Sequence, residues 1–446
     1  MLFEVAETAK KEVSKYSDNF EIYIEKEETI QLDAEKNTLN FAKEEKNIGI
    51  GIRVINNNKL GFAYTSDIDK TENIANIAEK AFLNSKLNEK DSNFDFAYPS
   101  KYPSINGIYD SKFNNFNLDE ATDLMNTILN TVEEENCEAT SGGFSASYSE
   151  SLIINSNDVN SYDKSTGFSS YVAVNAEKDN EKSTAYDSQS SCKFDLDPIA
   201  LTKDVCKIAK DSIGGSKIET EDKNVILDYH AATGLLNTFI MAFSGDNVQR
   251  GRSLLADKMG EAIVSPNLSI YDDGTYDNAL YSSKSDGEGT PSQNTLLVDN
   301  GRLNSFIYDI YTSNKSNSQD NGSNSNIKST GNGFRGSYSS TPSVSSSNII
   351  FDFSDKVAID EIDNGLIATD VLGAHTANPI SGDFSVEANN AFLIENGEIA
   401  EPVKKAMISG NIFKALSDCI AINSNIKQYG PFIIPKIMCK NLRVVG

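Results

Sequence analysis

Apolar residues recur every three or four positions in four separate stretches of the first half of the chain. These stretches begin at Leu2, Ile74, Leu118 and Leu201, and polar residues fill most of the positions between the apolar ones. Such spacing places the apolar side chains on one face of a helix. The fourth stretch follows Asp197, a residue type that caps helix N-termini. The pattern therefore predicts four amphipathic helices.

Other stretches alternate apolar and polar residues, which is typical of strands that bury one face. The alternation is clearest at 20–24 and 48–54, and shorter alternations recur between 138 and 194. In the second half of the chain, strand-and-loop patterns prevail, and the pair Asn396–Gly397 marks a hairpin turn. We therefore expect an antiparallel sheet in the first half and a mainly β second half.

The charged segment SKIETEDKN, residues 216–224, separates the two patterns and has the composition of a linker. A chain of 446 residues is also long for a single core. The sequence thus predicts an α+β protein with two domains. An N-terminal mixed α/β domain, with an antiparallel sheet and helices, covers 1–216, and a C-terminal mainly β domain covers 217–446.

A tract rich in Ser, Asn and Gly covers residues 312–347, and its composition predicts a mobile loop. Within it, the glycines of GNGFRG at 331–336 follow no strand, so the context of a nucleotide-binding loop is missing. Two roles stay open for this short segment, a loop that contacts a bound peptide and a structural turn. Its candidate residues are Gly331, Gly333 and Arg335.

Charge and cysteine content narrow the choice of partners and compartment. The formal net charge is −25 and no block of lysines or arginines interrupts it, which disfavours nucleic acid and anionic membrane surfaces. The five cysteines are widely spaced and never form CxxC, so they predict neither a disulfide framework nor a cysteine-based zinc site.

The N-terminus lacks a signal-peptide pattern, and no apolar run reaches the length of a membrane span. We expect a soluble, cytoplasmic protein.

The stretch DYHAATGLLNTF, residues 228–239, contains the first of only two histidines. A catalytic zinc ion needs three protein ligands and a carboxylate base, and HExxH-type motifs supply several of these groups from one helix. Here His230 is followed by Ala231, and neither Gly234 nor Leu235 can bind a metal. A hydrogen-bonded histidine at the start of a helix is therefore the favoured interpretation.

The second histidine, His375, lies in a His-Thr turn ahead of Pro379, where a structural role is also favoured. Four carboxylates could in principle complete a metal site with the histidines, although no spacing points to them: Asp246, Asp272, Asp273 and Glu288.

Several segments in fixed order resemble the TldD/PmbA family of peptidase-related proteins. In the second half these are DYHAATGLLNTFIMAF, YDDGTYDN, DGEGTPSQNTLLVDNGRLNSFIYD, STGNGFRGSYSSTPSV and HTANPISGDFSVEANN. In the first half, NIGIGIRVINNNKLGFAYTSDID is similar to a Gly-rich strand of the family that carries an Arg-Val pair. The likeness covers nearly the whole chain.

The resemblance implies a degenerate metal site. In the TldD branch, HExxxH and a later cysteine bind the metal and the glutamate is the base, whereas the TldE or PmbA branch lacks these groups and pairs with TldD. His230 matches the first family histidine, but Ala231 stands at the glutamate position and Leu235 at the second histidine position. Near the family's late cysteine this chain has NSNIKQYGPFIIPKI, and Cys439 lies beyond it.

The resemblance therefore implies a TldE/PmbA-like, non-catalytic subunit of a TldD/TldE-type metallopeptidase complex, a cytoplasmic dimer that acts in proteolysis on unfolded or small peptides. Such a chain would bind no cofactor itself, and zinc would be expected in a TldD-like partner. Two alternatives remain. One is a divergent metallopeptidase with a metal site rebuilt from His230, His375 and acidic residues, and the other is a stand-alone homodimeric peptide-binding protein.

Overall fold

The computed structural model describes residues 1–319 and 326–446. Its helices are α1 (Leu2–Val13), α2 (Thr71–Leu87), α3 (Leu118–Glu134), α4 (Pro198–Asp211), α5 (Tyr229–Ile240), α6 (Gly245–Gln249), α7 (Ile310–Gln319) and α8 (Ile412–Ser417). Short 3-10 turns cover Ser111–Asn115, Met241–Phe243, Ile359–Glu361 and Ala374–Thr376.

The strands of the first half are β1 (Phe20–Glu35), β2 (Thr38–Asn56), β3 (Lys59–Thr65), β4 (Glu138–Asn155), β5 (Asn160–Lys178) and β6 (Glu181–Ser191). Those of the second half are β7 (Glu221–Leu227), β8 (Leu268–Asp273), β9 (Asn294–Asp299), β10 (Arg302–Leu303), β11 (Gly333–Phe334), β12 (Ser343–Val344), β13 (Ile349–Phe353), β14 (Lys356–Val357), β15 (Asn364–Leu372), β16 (Asp383–Glu395), β17 (Glu398–Val403), β18 (Ala406–Asn411), β19 (Cys419–Ile422), β20 (Lys427–Tyr429), β21 (Phe432–Ile434) and β22 (Ile437–Val445).

The first half folds around one antiparallel sheet with the strand order β3-β2-β1-β4-β5-β6. Alternation along β1 gives this sheet two apolar patches, because Ile22 and Ile24 pack with α1 and α2, whereas Ile30 and Leu32 pack with α3 and α4. Lys26 and the neighbouring Glu28, an ion pair on β1, separate the two patches. Helices therefore cover the sheet as two neighbouring pairs.

The four predicted helices are confirmed as α1 to α4. Asn117 caps α3 through a capping box with Glu120, and the Asp197 side chain accepts a hydrogen bond from the backbone N–H of Ala200 in α4. The predicted hairpin turn is also present between β16 and β17, where Asn396 and Gly397 both have positive φ.

The second half contains two larger sheets, with the orders β10-β9-β8-β13-β21-β20 and β14-β19-β22-β18-β16-β15-β7. Because β7 also pairs with β22, five strands of the latter sheet close into a ring. The sheets and α5 share one apolar core, which includes Leu235, Phe239 and Phe351. The predicted α+β class, with a mainly β second half, is confirmed. The division at 216/217 stays a prediction, and in the structure this position lies between α4 and β7.

The Ser/Asn/Gly tract at 312–347 is not a loop throughout, so that expectation was wrong for 312–319 and for the residues of β11 and β12, whereas the other described residues of the tract form neither helix nor strand. Helix α7 continues into it, and β11 and β12 pair within it. Asn332 and Arg335 are buried there and held by hydrogen bonds rather than by apolar contacts, which explains why apolar periodicity did not reveal the order. Residues 320–325 of the tract lie outside the described ranges. No helix within those ranges is long and apolar enough to cross a membrane.

Candidate functional site

His230 lies in the first turn of α5, directly after β7. The Asp228 side chain accepts a hydrogen bond from the backbone N–H of Tyr229 and so fixes the start of the helix. The half-buried imidazole then meets a carboxylate of the first half, with its Nε2 atom 2.7 Å from Oδ1 of Asp187 on β6. The histidine that the sequence singled out therefore joins the two halves of the chain.

Aromatic rings complete the surroundings of His230. The Tyr429 hydroxyl on β20 donates to the same Asp187 oxygen at 2.9 Å, and its ring centroid lies 4.5 Å from that of His230. Tyr186 packs on the imidazole at 5.5 Å, and Tyr229 stacks on Tyr429 at 5.6 Å. Asp187 thus receives hydrogen bonds from two rings, and Tyr429 shields the imidazole.

The charge of Asp187 depends on these partners. Burial by itself would raise the pKa of this carboxyl, but hydrogen bonds from His230, the Ser188 backbone and Tyr429 outweigh it and hold the pKa below its usual range. Burial and the nearby Asp187 carboxylate raise the pKa of Tyr429 instead. At neutral pH the site therefore contains a carboxylate held by a neutral phenol and an imidazole.

We expect His230→Ala to lower the free energy of unfolding by about 1–3 kcal/mol, because Asp187 loses a hydrogen-bond partner in a largely buried place. The matched control is His375→Ala. His375 is exposed in the Ala374–Thr376 turn, and its ring makes no hydrogen bond to any described residue. The control should stay within about 0.5 kcal/mol. Urea denaturation of both variants measures the difference, and equal, small changes would contradict the role given to His230.

A cavity of about 390 Å³ opens beside His230. It lies between α4 of the first half and strands of the second half, so both halves supply its walls. Apolar contacts come from Ile367, Phe392 and Ile399. The charged side chains at its walls are Asp187, Asp204, Asp211, Asp228, Lys207, Lys427 and Lys436. A ligand of this cavity would meet mixed charge and an apolar side, as a peptide segment would offer.

The residues around His230 do not fit a zinc ion. Ala231 and Leu235 are buried in the apolar core of the second half and do not line the cavity. The imidazole Nε2 already faces Asp187. Among residues 1–319 and 326–446, no group of three or more His, Cys, Asp or Glu side chains is arranged to hold a metal ion.

The acidic residues named as conceivable metal partners lie elsewhere. Asp246 pairs with Arg250 on the surface, Asp272 accepts hydrogen bonds from Asn332 and Ser347, and Asp273 accepts from Thr275 and Asn294. In the described part of the chain, none of these carboxylates, nor Glu288, hydrogen-bonds to either histidine.

Arg335, a candidate from the Gly-rich segment, lies inside a buried ionic network. Its guanidinium pairs with Glu21 on β1, donates to the carbonyl oxygens of Gly287 and Ser340, and lies over the Tyr23 ring. Every hydrogen-bonding nitrogen of the guanidinium is thus directed at the protein itself. These contacts favour the structural role of Arg335 over contact with a peptide.

The two glycines of the segment allow this close packing. Gly331 has φ +74°, and a Cβ there would stand 2.6 Å from the Pro291 carbonyl oxygen. A Cβ on Gly333 would stand 2.7 Å from the Glu288 side chain. Both positions therefore require glycine for conformation or for space.

The rest of the network was missed by sequence reasoning. Arg53 on β2 binds Glu21 with two hydrogen bonds, at 2.9 Å from Nε and 2.6 Å from Nη2, and contacts Glu288 at 3.4 Å. Glu21, Arg53, Glu288 and Arg335 are all nearly inaccessible to solvent. The signal in the sequence was Arg53 in the otherwise apolar strand IGIGIRVI, since a buried arginine requires an acidic partner.

Several buried carboxyl groups near this network take up protons more readily than usual. Burial raises the pKa of Glu288, partly opposed by Arg53 and reinforced by the neighbouring Asp309 and Asp286. Burial also raises the pKa of Asp286, and it raises that of Asp272 to about 6. These groups therefore keep their protons to a higher pH in the folded chain than in the unfolded chain.

We therefore expect the stability to fall as the pH rises from about 5 to 8. A carboxyl whose pKa is raised by folding stabilises the fold fully below its unfolded pKa, and this contribution is lost as the pH passes the folded pKa. In Glu288→Gln the free energy of unfolding should depend less on pH. We expect its loss between pH 5 and 8 to be smaller by roughly 1–2 kcal/mol, since one unit of pKa corresponds to about 1.4 kcal/mol. Denaturation at several pH values tests this, and an unchanged slope would contradict it.

Comparison with known proteins places these features in one class. Three models of a single family match the chain in order: PmbA/TldA metallopeptidase domain 1 over 20–85, the central domain over 111–213 and the C-terminal domain over 220–446. The chain is therefore a metallopeptidase-related protein.

Individual relatives agree. An uncharacterized protein of Methanocaldococcus jannaschii is 36% identical over 94% of this chain and 95% of its own length. The chain belongs to the PmbA/TldD family. A metalloprotease TldD homolog of Buchnera aphidicola is 26% identical over 85% of this chain and 80% of its own length. The crystal structure of TldE from Thermococcus kodakarensis shares the fold with a TM-score of 0.91 at 24% identity, over 99% of this chain and 100% of that one.

Proposed function

We propose that this chain is the TldE/PmbA-like, non-catalytic subunit of a TldD/TldE-type metallopeptidase complex that acts on unfolded or small peptides. The proposal rests on the residues that occupy the family's metal-motif positions in α5. Ala231 and Leu235 stand at the positions of the family base and second histidine, and both are packed in the core. The remaining histidine is engaged by Asp187.

The proposed complex divides the work between two chains. The TldD-like partner holds the zinc ion and the base, and this chain binds no cofactor. The chain contributes its scaffold and the cavity beside His230, whose walls combine lysines, carboxylates and apolar side chains that suit a peptide. The fold shared with TldE of T. kodakarensis supports this placement.

Reconstitution tests the proposal. The chain is mixed with an HExxxH-bearing homologue from the same cell, and complex formation and cleavage of an unfolded peptide are measured. We expect a 1:1 complex that cleaves the peptide and loses its activity when the motif glutamate of the homologue is replaced. The chain alone should cleave nothing. Cleavage by the isolated chain, or a homodimer that ignores the homologue, would contradict the proposal.

A further inference from the structure

Two cysteines that are distant in sequence lie side by side in the first half of the chain. Cys137 lies three residues beyond the end of α3, in the turn that closes the helix. Asn136 has a φ of +54°, its N–H bonds to the Glu133 carbonyl, and the Cys137 N–H bonds to the Val132 carbonyl. This is the Schellman pattern of a helix end, so the position of Cys137 is fixed by the backbone.

Cys206 approaches this turn from the middle of α4. The Cys137 Sγ atom lies 4.0 Å from the Cys206 carbonyl oxygen, so the two cysteines are in direct contact. Both side chains pack against the same apolar cluster under the sheet. A disulfide requires the two sulfur atoms to approach to about 2.0 Å, and the contact between Cys137 and the Cys206 backbone brings the two residues together for it.

Solvent access distinguishes this pair from the other cysteines. Cys137 is partly exposed, whereas Cys206 is buried. The Lys210 ammonium lies near the pair but is itself bound by the Glu135 carboxylate at 2.7 Å, and burial raises the pKa of the Cys206 thiol to about 12. Cys419 and Cys439 also face each other, on β19 and β22, but both are buried.

We propose that Cys137 and Cys206 form a dithiol that hydrogen peroxide oxidises reversibly to a disulfide joining the end of α3 to α4. The Cys137 thiolate attacks one peroxide oxygen, the O–O bond breaks, and the leaving hydroxide takes a proton to become water. The sulfur of Cys206 then attacks the resulting sulfenic acid and loses its proton as the S–O bond breaks and a second water leaves. Two thiols are oxidised and one peroxide is reduced to two waters.

The disulfide would affect one wall of the cavity beside His230. This inference does not depend on the proposed function. Cys206 lies between Asp204 and Lys207, two residues of α4 that line the cavity beside His230. A covalent link from α4 to the fixed turn after α3 would hold this wall of the cavity in place. Oxidation therefore couples a surface-accessible thiol to the shape of the cavity.

Thiol counting on the full native chain tests the proposal. The protein is treated with hydrogen peroxide, quenched, denatured and alkylated, and its peptides are mapped by mass spectrometry. We expect the alkylated thiols to fall from the five of the sequence to three, with Cys137 and Cys206 in one disulfide-linked peptide pair. A thiol reductant should restore all five.

Single substitutions provide the controls. Cys137→Ser and Cys206→Ser should each abolish the linked peptide pair, whereas Cys192→Ser, at a buried and separate position, should retain it. If a variant fails to fold, peptide mapping of the oxidised, unsubstituted chain still tests whether Cys137 and Cys206 are linked. Over-oxidation of Cys137 while Cys206 is still alkylated, or formation of a Cys419–Cys439 disulfide at an equal rate, would overturn the proposal.

Discussion

Replacing Glu21 with glutamine is expected to lower the free energy of unfolding by about 3–5 kcal/mol. Its carboxylate is the shared acceptor of Arg53 and Arg335 and is almost fully buried. Removal of the charge leaves two buried guanidinium groups without their main partner, and breaking a buried ion pair in this way costs about that much. The network joins β1 and β2 to the 333–344 segment, so unfolding of the whole chain reports the loss.

The matched control is Glu28→Gln on the same strand. The Glu28 carboxylate pairs with Lys26 and Lys46 at a partly exposed place, where such pairs contribute about 0–1 kcal/mol. Guanidinium denaturation of the two variants gives the comparison. A loss for Glu21→Gln as small as that for Glu28→Gln would contradict the structural role of the network.

Writing the family motif back into α5, as the double variant Ala231→Glu with Leu235→His, is expected to destabilise the protein rather than to create a zinc site. Both positions are buried in the apolar core, with Ala231 at 0% and Leu235 at 1% exposure. A carboxylate forced into such a place costs several kcal/mol unless it is paired. We expect loss of most of the folded protein, or a free energy of unfolding lower by about 4 kcal/mol or more.

The control for this double variant is Asn237→Glu, an exposed position of the same helix. A change there should stay within about 0.5 kcal/mol. Circular dichroism during thermal unfolding, together with zinc analysis of each protein, makes the comparison. A double variant that folds as well as the control and retains one zinc ion would show that these two positions face a metal site and not the core.

The sequence predicted those parts of the fold that rest on local patterns. Helices α3 and α4 followed from apolar spacing, α4 also from its cap Asp197, and the β16–β17 turn followed from Asn396–Gly397. These features are set by residues close together in the chain, so local sequence patterns are enough to predict them. The helical and strand residues within the 312–347 tract were missed because hydrogen bonds, for which no periodic signal exists, hold this segment in place.

The candidate site was only partly predictable for the same reason. His230 was found, but Asp187 and Tyr429 approach it from other strands, and no spacing connects them. Arg335 was named, yet its partner Glu21 is 314 residues away in sequence. Partners across such separations are brought together by the folded sheets alone.

Metal content tests the central claim most directly. The purified chain is dialysed against a mild chelator, zinc is added back, excess metal is removed, and zinc per chain is measured. We expect near-zero retained zinc, since His230 faces Asp187 and the described residues offer no set of three ligands. One zinc ion per chain that is lost on His230→Ala would contradict the account and identify a metallopeptidase with a rebuilt ligand set.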